Sequence, residues 1–235
     1  MAEKFRLAVI GCGAIGRVHA GAITKLEDAQ LVAVSDLKEE NSAKMAKDFG
    51  CNAYTDYRMM FQNEKIDIAC VCTPSGTRIE ICEAAAEYHV NLLVEKPLDI
   101  NSERTEKIVN ICRTAGVKLG CVFQLRFLPV FQSLKQAERE GRFGKLVIGN
   151  AGTICYRSED YYKDGGWRGS FAQDGGGALM NQGIHAIDLL RWIMGDVKSV
   201  FAYQDHLTHA IEVEDTLVAG IEFQSGAMGT VIAST

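Results

Sequence analysis

The sequence predicts an α/β chain: a doubly wound parallel sheet over roughly the first half, then an α+β domain with a mainly antiparallel sheet. Three observations predict it. Short apolar runs alternate with helix-period segments as far as Val122, which is the pattern of parallel strands joined by crossover helices. The first such run ends in glycines spaced G-x-G-x-x-G, at Gly11, Gly13 and Gly16. Past Phe123 the pattern changes, and the last three strand-like runs follow one another with no helix between them. That succession favours antiparallel pairing. Two domains are therefore expected, 1–122 and 123–235.

The elements follow in order. After Gly16, apolar Ile15, Val18, Ala22, Ile23 and Leu26 recur at helical spacing and predict a helix to about residue 27. A second strand covers 31–35 and ends at Asp36. A helix over about 39–49 leads through Gly50 to a short strand near 53–54, a helical turn around 59–61 and a buried strand over 66–72. A helix through Ile79, Cys82, Ala86 and Tyr88, a strand at 91–94, a helix at about 102–114 and a strand at 117–122 complete the first domain. The second begins with a helix at about 129–140 and a long strand at about 145–156. A polar, aromatic, glycine-rich loop at 161–169 follows. Then come Gly175, Gly176 and Gly177, and a strongly apolar helix at 178–194 stopped by Gly195. Strand-like runs near 197–204, 216–223 and 227–233 close the chain.

Bulk properties exclude several classes of function. Of 235 residues, Lys and Arg number 25 and Asp and Glu 30, a formal net charge of −5 with no basic run. Nucleic-acid binding is not expected from that balance. The apolar runs are too short to span a bilayer, and Glu3, Lys4 and Arg6 lead directly into the first strand rather than forming a signal-peptide layout. The eight cysteines (Cys12, Cys51, Cys70, Cys72, Cys82, Cys112, Cys121 and Cys155) form no C-x-x-C pair. They read as reduced, buried small hydrophobes, with no metal site expected and a cytoplasmic setting.

Each glycine of the first turn has a physical task. Gly11 permits the reversal out of the strand, Gly13 lets a pyrophosphate approach the backbone, and Gly16 lets the helix pack closely on the strand. The N–H groups and dipole at the helix start then favour phosphate oxygens. On spacing alone the motif also fits a glycine-rich turn with no ligand. Asp36, twenty positions after Gly16, stands where a carboxylate would accept hydrogen bonds from the adenosine ribose, and its charge would repel a 2′-phosphate. NAD is therefore favoured over NADP, a preference that Lys38 moderates.

Other candidates lie at strand ends and on one helix. Thr73, Pro74 and Ser75 follow a strand and either border the cofactor or form a plain proline turn. Lys96 ends another strand just ahead of Pro97. It is either a proton-exchanging group for a substrate hydroxyl or a surface lysine, while Glu95 points the other way along the strand. Asn181, His185 and Asp188 recur at spacings of four and three, which puts them on one helix face. That stripe either lines a cavity, with His185 handling a proton, or forms a structural network in which Asp188 satisfies His185. The three glycines before it indicate close backbone approach to a ligand or to a neighbouring strand. Arg126 and Arg168 suit a carboxylate or phosphate, and Trp167 a sugar face; with Tyr162, all of them are equally readable as surface or packing residues. His19 reads as a packed or exposed histidine rather than a catalyst.

Taken together these motifs resemble the Gfo/Idh/MocA oxidoreductases, the family of glucose–fructose oxidoreductase and inositol dehydrogenase. The resemblance runs over the whole chain. It rests on Gly11-Cys12-Gly13-Ala14-Ile15-Gly16 with His19, on Asp36, on Thr73-Pro74, on Glu95-Lys96-Pro97, and on Arg126-Phe127 with Pro129. The glycine run with Asn181, His185 and Asp188, and Glu214-Asp215-Thr216, complete it. It implies a Rossmann domain and NAD(P)-dependent oxidation or reduction of a sugar or polyol carbon. Lys96 would be the proton-transfer residue and His185 would sit at the reacting hydroxyl. The implied cofactor contacts are Gly11, Gly13, Ala14, Ile15, Gly16, Asp36, Thr73, Pro74, Glu95 and Lys96, and Asn181, Arg126, Trp167 and Arg168 would hold substrate. The run from Trp167-Arg168-Gly169 to His185 looks most like the branch acting on nucleotide-linked N-acetyl-hexuronates at C3.

Two departures matter. Many members carry aspartate where this chain has Asn181, and an amide orients a hydroxyl but transfers no proton. The sequence also stops at Thr235, short of the family's usual length, so the second sheet is expected to be incomplete. An edge left open invites pairing, and a homo-oligomer through that sheet is expected. The rival reading is an NAD-binding regulatory or vestigial protein without turnover.

Overall fold

The computed structural model describes residues 4–163 and 166–235. Glu3 and two residues of the predicted loop, Asp164 and Gly165, lie outside the described residues. The chain divides into two compact units, Met1–Val122 and Phe123–Thr235.

The first unit alternates strand and helix throughout. In chain order it runs β1 (Phe5–Ile10), α1 (Ala14–Ile23), β2 (Ala29–Ser35), α2 (Glu39–Phe49), β3 (Asn52–Tyr54) and α3 (Tyr57–Asn63). Then come β4 (Ile68–Val71), α4 (Arg78–Glu87), β5 (Asn91–Val94), α5 (Ser102–Ala115) and β6 (Leu119–Cys121). All six strands are parallel, in the order β3-β2-β1-β4-β5-β6. The order reverses between β1 and β4, which opens a crevice at their carboxyl ends.

The central strands are apolar because both of their faces are covered. Leu7 and Val9 of β1 pack with Ile23, Leu31 and Met45 on one face. Ala8 and Ile10 pack with Val71, Ile79, Val94 and Ile108 on the other. Polar residues set the helix ends. The side chains of Asp56 and Asn101 accept the N–H of Arg58 and Arg104, and Gly50 and Gly116 close α2 and α5 in the left-handed conformation. The helix expected to reach residue 27 stops at Ile23. The N–H groups of Lys25 and Leu26 turn to Ala22 and Ile23, and Leu26 faces solvent. Leu26 keeps the helical period but finds no core to enter.

The second unit contains α6 (Pro129–Arg139), β7 (Ile148–Ile154), α7 (Glu159–Lys163), α8 (Ile184–Met194), β8 (Val197–Asp205), β9 (Thr216–Phe223) and β10 (Met228–Ser234). The strand order is β7-β10-β9-β8. β10 pairs antiparallel with β9, and β9 with β8, but β10 pairs parallel with β7, so the sheet is mixed although mostly antiparallel. α8 seals one face, where Leu190 and Met194 meet Leu217, Phe223 and Val231. Gly149 allows this approach, since a Cβ there would stand 2.8 Å from Met194. The opposite face carries exposed Ile148, Val218, Met228 and Ile232, with Phe201 and Tyr203 of β8.

The predicted helix at 178–194 is in two parts. Residues Ala178–Gly183 are wound as a π-helix, and the α-helix proper starts at Ile184. Glu214 supplies the acceptors for its leading N–H groups. Its carboxylate takes Gly177 and Leu179 at 2.8 and 2.9 Å, and its carbonyl takes Ala178 at 2.8 Å. The next residue, Asp215, is fully buried and orders the loop after β8 by accepting the N–H groups of Leu207, Thr208 and His209. Burial opposes its charge. Those three donors and the Thr216 hydroxyl outweigh burial and hold the carboxyl below its ordinary range. No helix among the described residues is long and apolar enough to cross a membrane.

Candidate functional site

The first unit builds a dinucleotide cradle at the carboxyl ends of its strands. Gly11 has φ +94°, and a Cβ there would lie 2.8 Å from the carbonyl group of Cys72. A Cβ on Gly16 would lie 1.9 Å from the carbonyl oxygen of Gly11. Gly13 differs, because a Cβ there would meet nothing within 4 Å. The backbone at the start of α1 is therefore tight against protein at two glycines and open at the one where a phosphate would approach. The residues present fit a dinucleotide. Ala14 and Ile15 form the first helical positions, where the N–H groups have no partner within the helix. Asp36 is tied to the same turn. Its Oδ2 accepts the N–H of Cys12 at 2.8 Å and its Oδ1 those of Lys38 at 2.9 Å and the Asn41 amide at 3.2 Å.

Two further loops end the neighbouring strands, and one buried arginine joins them. Thr73 and Pro74 follow β4; Glu95, Lys96 and Pro97 follow β5 with a cis peptide before the proline. Arg78, the first residue of α4, is buried and donates to the Thr73 carbonyl through Nε at 3.1 Å and Nη2 at 2.9 Å. Its Nη1 donates to the carbonyls of Glu95 and Pro97. The carbonyls on either side of Lys96 are thus held by one guanidinium. Sequence reasoning missed Arg78, whose only signal was a cation heading an otherwise apolar helix.

Glu95 and His19 form a second pair that the sequence did not announce. The Glu95 carboxylate, nearly buried, lies 2.9 Å from His19 Nε2 and accepts the backbone N–H of Lys96 at 3.1 Å. Burial pushes its titration upward, but the His19 hydrogen bond and charge, with those of Lys96, outweigh burial and leave it below the ordinary range. Its contribution to stability is therefore present above the ordinary glutamate range and is lost as the pH falls through the lowered value. The nearby thiols are inert. Burial pushes Cys12, Cys70 and Cys82 up to about 12 and Cys51 up to about 11.

In the second unit, the three residues of the polar stripe take separate partners. Asp188 accepts Arg126 through Nε at 2.7 Å and Nη2 at 2.5 Å, and that guanidinium also lies 5.3 Å from the Trp192 ring centre. His185 meets the Phe123 ring edge-on at 6.3 Å. The Asn181 amide donates to buried Asp174 at 2.7 Å and accepts from Gln182 at 2.9 Å. Arg126, expected to hold substrate, has two of its donors on Asp188 of α8. Gly177 has a protein cause: a Cβ there would stand 1.6 Å from the Glu214 carbonyl oxygen. The close approach is to the segment leading into β9.

Trp167 and Arg168 pack on each other. The Arg168 guanidinium lies 4.8 Å from the Trp167 ring centre and 4.4 Å from that of Tyr161, so one cation bridges the two rings. Tyr162 packs on His209 at 4.8 Å and hydrogen-bonds the Thr235 hydroxyl, which is a structural role.

An open glycine turn on a six-stranded parallel sheet, followed by an α+β unit, is the layout of a Rossmann-type dinucleotide-dependent oxidoreductase. Two family models match: the oxidoreductase family with an NAD-binding Rossmann fold over residues 5–123, and the GFO/IDH/MocA C-terminal domain over residues 131–235. The chain belongs to the Gfo/Idh/MocA oxidoreductase family. It is 30% identical over 233 residues to myo-inositol 2-dehydrogenase of Thermotoga maritima, covering 96% of this chain and 67% of that protein. It is 34% identical to the WlbA dehydrogenase of Chromobacterium violaceum, solved in complex with NADH and UDP-GlcNAcA. The TM-score is 0.96 over 100% of this chain and 68% of that one. The WlbA dehydrogenase of Bordetella pertussis, solved with the same two molecules, matches with a TM-score of 0.95 and 34% identity over 99% of this chain and 71% of that one. The chain thus spans about two thirds of the length of these relatives.

Proposed function

We propose that the protein transfers a hydride between NAD and a secondary alcohol of a sugar, polyol or nucleotide-linked sugar. The observation that carries this reading is the Arg78-anchored segment Glu95–Lys96–Pro97, set at the end of β5 on the same strand-end crevice as the glycine turn. NAD, when bound, supplies or accepts the hydride at its nicotinamide. Gly11, Gly13, Ala14, Ile15 and Gly16 hold its phosphates. Asp36 accepts from the ribose, which disfavours a 2′-phosphate and so NADP. Thr73, Pro74 and Glu95 border the nicotinamide side. Proton handling at the hydroxyl is assigned to Lys96 and to His185, and Asn181 orients the hydroxyl. Similarity to the two WlbA structures supports a nucleotide-linked N-acetyl-hexuronate as substrate.

Calorimetry with NAD and NADP, followed by nicotinamide absorbance with sugars, inositols and nucleotide-linked hexuronates, tests this. Lys96→Ala is expected to lower turnover by about 10²–10⁴-fold, the usual worth of a positioned proton-transfer group. Tight NAD binding with no turnover on any of these substrates would instead support the non-catalytic reading.

The exposed apolar face of the second sheet supports a homo-oligomer through that sheet, because apolar patches of this kind are uncommon on monomers. A strictly monomeric mass in solution at micromolar concentration would exclude it. Eight free cysteines support a cytoplasmic setting.

A further inference from the structure

We infer that Arg157 and Arg168, stacked on Tyr161, form an oxyanion-recognition shelf that selects sugars carrying a carboxylate or phosphate over neutral ones. The inference rests on the sugar-dehydrogenase reading above and adds the residues that would recognise the substrate's charge. Both guanidinium groups lie over the same tyrosine ring, at 5.0 Å for Arg157 and 4.4 Å for Arg168. Stacking holds a guanidinium plane flat and leaves its edge donors in the fork geometry that matches an oxyanion.

Among the described residues no acid answers the charge of Arg157. Its hydrogen bonds go to neutral acceptors, the Tyr156 carbonyl at 3.2 Å and the Gln182 amide oxygen at 2.9 Å. Among the described residues no carboxylate lies within ion-pair distance of it. Other arginines of this unit are answered: Arg126 by Asp188, Arg142 by Glu140 and Arg191 by Asp196. Two like charges on one ring, with no described carboxylate opposite Arg157, repel each other, and a bound oxyanion would relieve that repulsion.

The shelf is also wired to the substrate face. Gln182 accepts from Arg157 and donates to the Tyr161 hydroxyl at 3.0 Å and to Asn181 at 2.9 Å. Asn181 precedes His185 by four residues. An anion seated on the shelf is thereby linked through Gln182 to the amide that orients the hydroxyl.

Two sources of oxyanion share this chemistry, a ring carboxylate and the diphosphate of a nucleotide-linked sugar. Steady-state kinetics with a nucleotide-linked hexuronate, its neutral hexose counterpart, a free hexuronate and an inositol separate them. Arg157→Gln is expected to lower kcat/KM for the anionic class relative to inositol by about 10–100-fold, mainly through KM, as for loss of a charge-assisted hydrogen bond. Loss on hexuronates, linked or free, but not on the linked neutral hexose assigns the shelf to the carboxylate. Loss on every nucleotide-linked sugar assigns it to the diphosphate. An equal fall on anionic and neutral substrates overturns the inference and makes the stack structural. If no substrate turns over, calorimetry of the nucleotide-linked hexuronate with NADH present still decides: equal affinity for wild type and variant refutes the shelf, whatever becomes of the activity. Should Arg157→Gln fail to fold, Arg157→Lys keeps the charge without the fork and is expected to lose part of the same preference.

Discussion

Gly16→Ala is expected to abolish measurable NAD binding and to destabilise the first unit by about 3 kcal/mol, at the upper end of overpacking costs. The added methyl would stand 1.9 Å from the carbonyl oxygen of Gly11 and 3.4 Å from a methyl of Val9. Neither neighbour can swing aside, because one is backbone and the other belongs to the central strand. α1 must therefore lift from β1, and the N–H groups that would receive the phosphates move with it. Gly13→Ala supplies the contrast. Its Cβ meets nothing within 4 Å and its φ of −72° suits any residue, so stability is expected to change by no more than about 0.5 kcal/mol. NAD affinity should fall nonetheless, since the methyl fills the space a pyrophosphate needs. Denaturant unfolding and calorimetry on both variants read the two effects apart. A Gly16→Ala protein that binds NAD normally, or a Gly13→Ala protein with undiminished affinity, would contradict the cradle as described.

How much of this was legible follows from which interactions leave a mark in sequence. β1, β2, β4 and β5 were readable because strands buried on both faces must be apolar throughout, and Gly11 and Gly16 because only glycine meets their contacts, whereas a Cβ on Gly13 would meet nothing within 4 Å. The mixed pairing of the second sheet was not readable. β7 and β10 lie far apart in sequence, and residue type is indifferent to whether a neighbour runs up or down. Of the glycine run, Gly177 makes a close backbone approach, and its partner, Glu214, is 37 residues away and leaves no local mark in the sequence.

The site residues divide along the same line. Lys96, His185 and Asn181 stood out because a charged or polar group beside apolar neighbours is conspicuous. Their supports did not. His19 lies 76 residues from Glu95, and Arg126 lies 62 from Asp188, so neither pair has a local signature. Arg78 is quieter still, because its acceptors are backbone carbonyls and place no demand on side-chain identity.

That silence gives Arg78 the second large effect. Arg78→Met is expected to cost about 3 kcal/mol or more in stability, since three carbonyls, those of Thr73, Glu95 and Pro97, would lose a charged donor at once. Burial lowers the titration of this arginine and the charge of Glu95 opposes that fall, so the group remains a full cation at any working pH. Arg78→Lys separates charge from shape. A lysine keeps the cation but offers a point donor in place of the fork, and it cannot span both loops. It is expected to recover part of the stability while kcat stays at least about 10-fold below wild type, because Lys96 lies between two of the released carbonyls. A merely structural arginine predicts the opposite split, with kcat restored wherever folding is restored. NAD titration adds the third reading. Affinity should weaken in both variants through the freed Thr73 loop, and an unchanged affinity alongside reduced kcat would confine the role of Arg78 to the lysine loop alone.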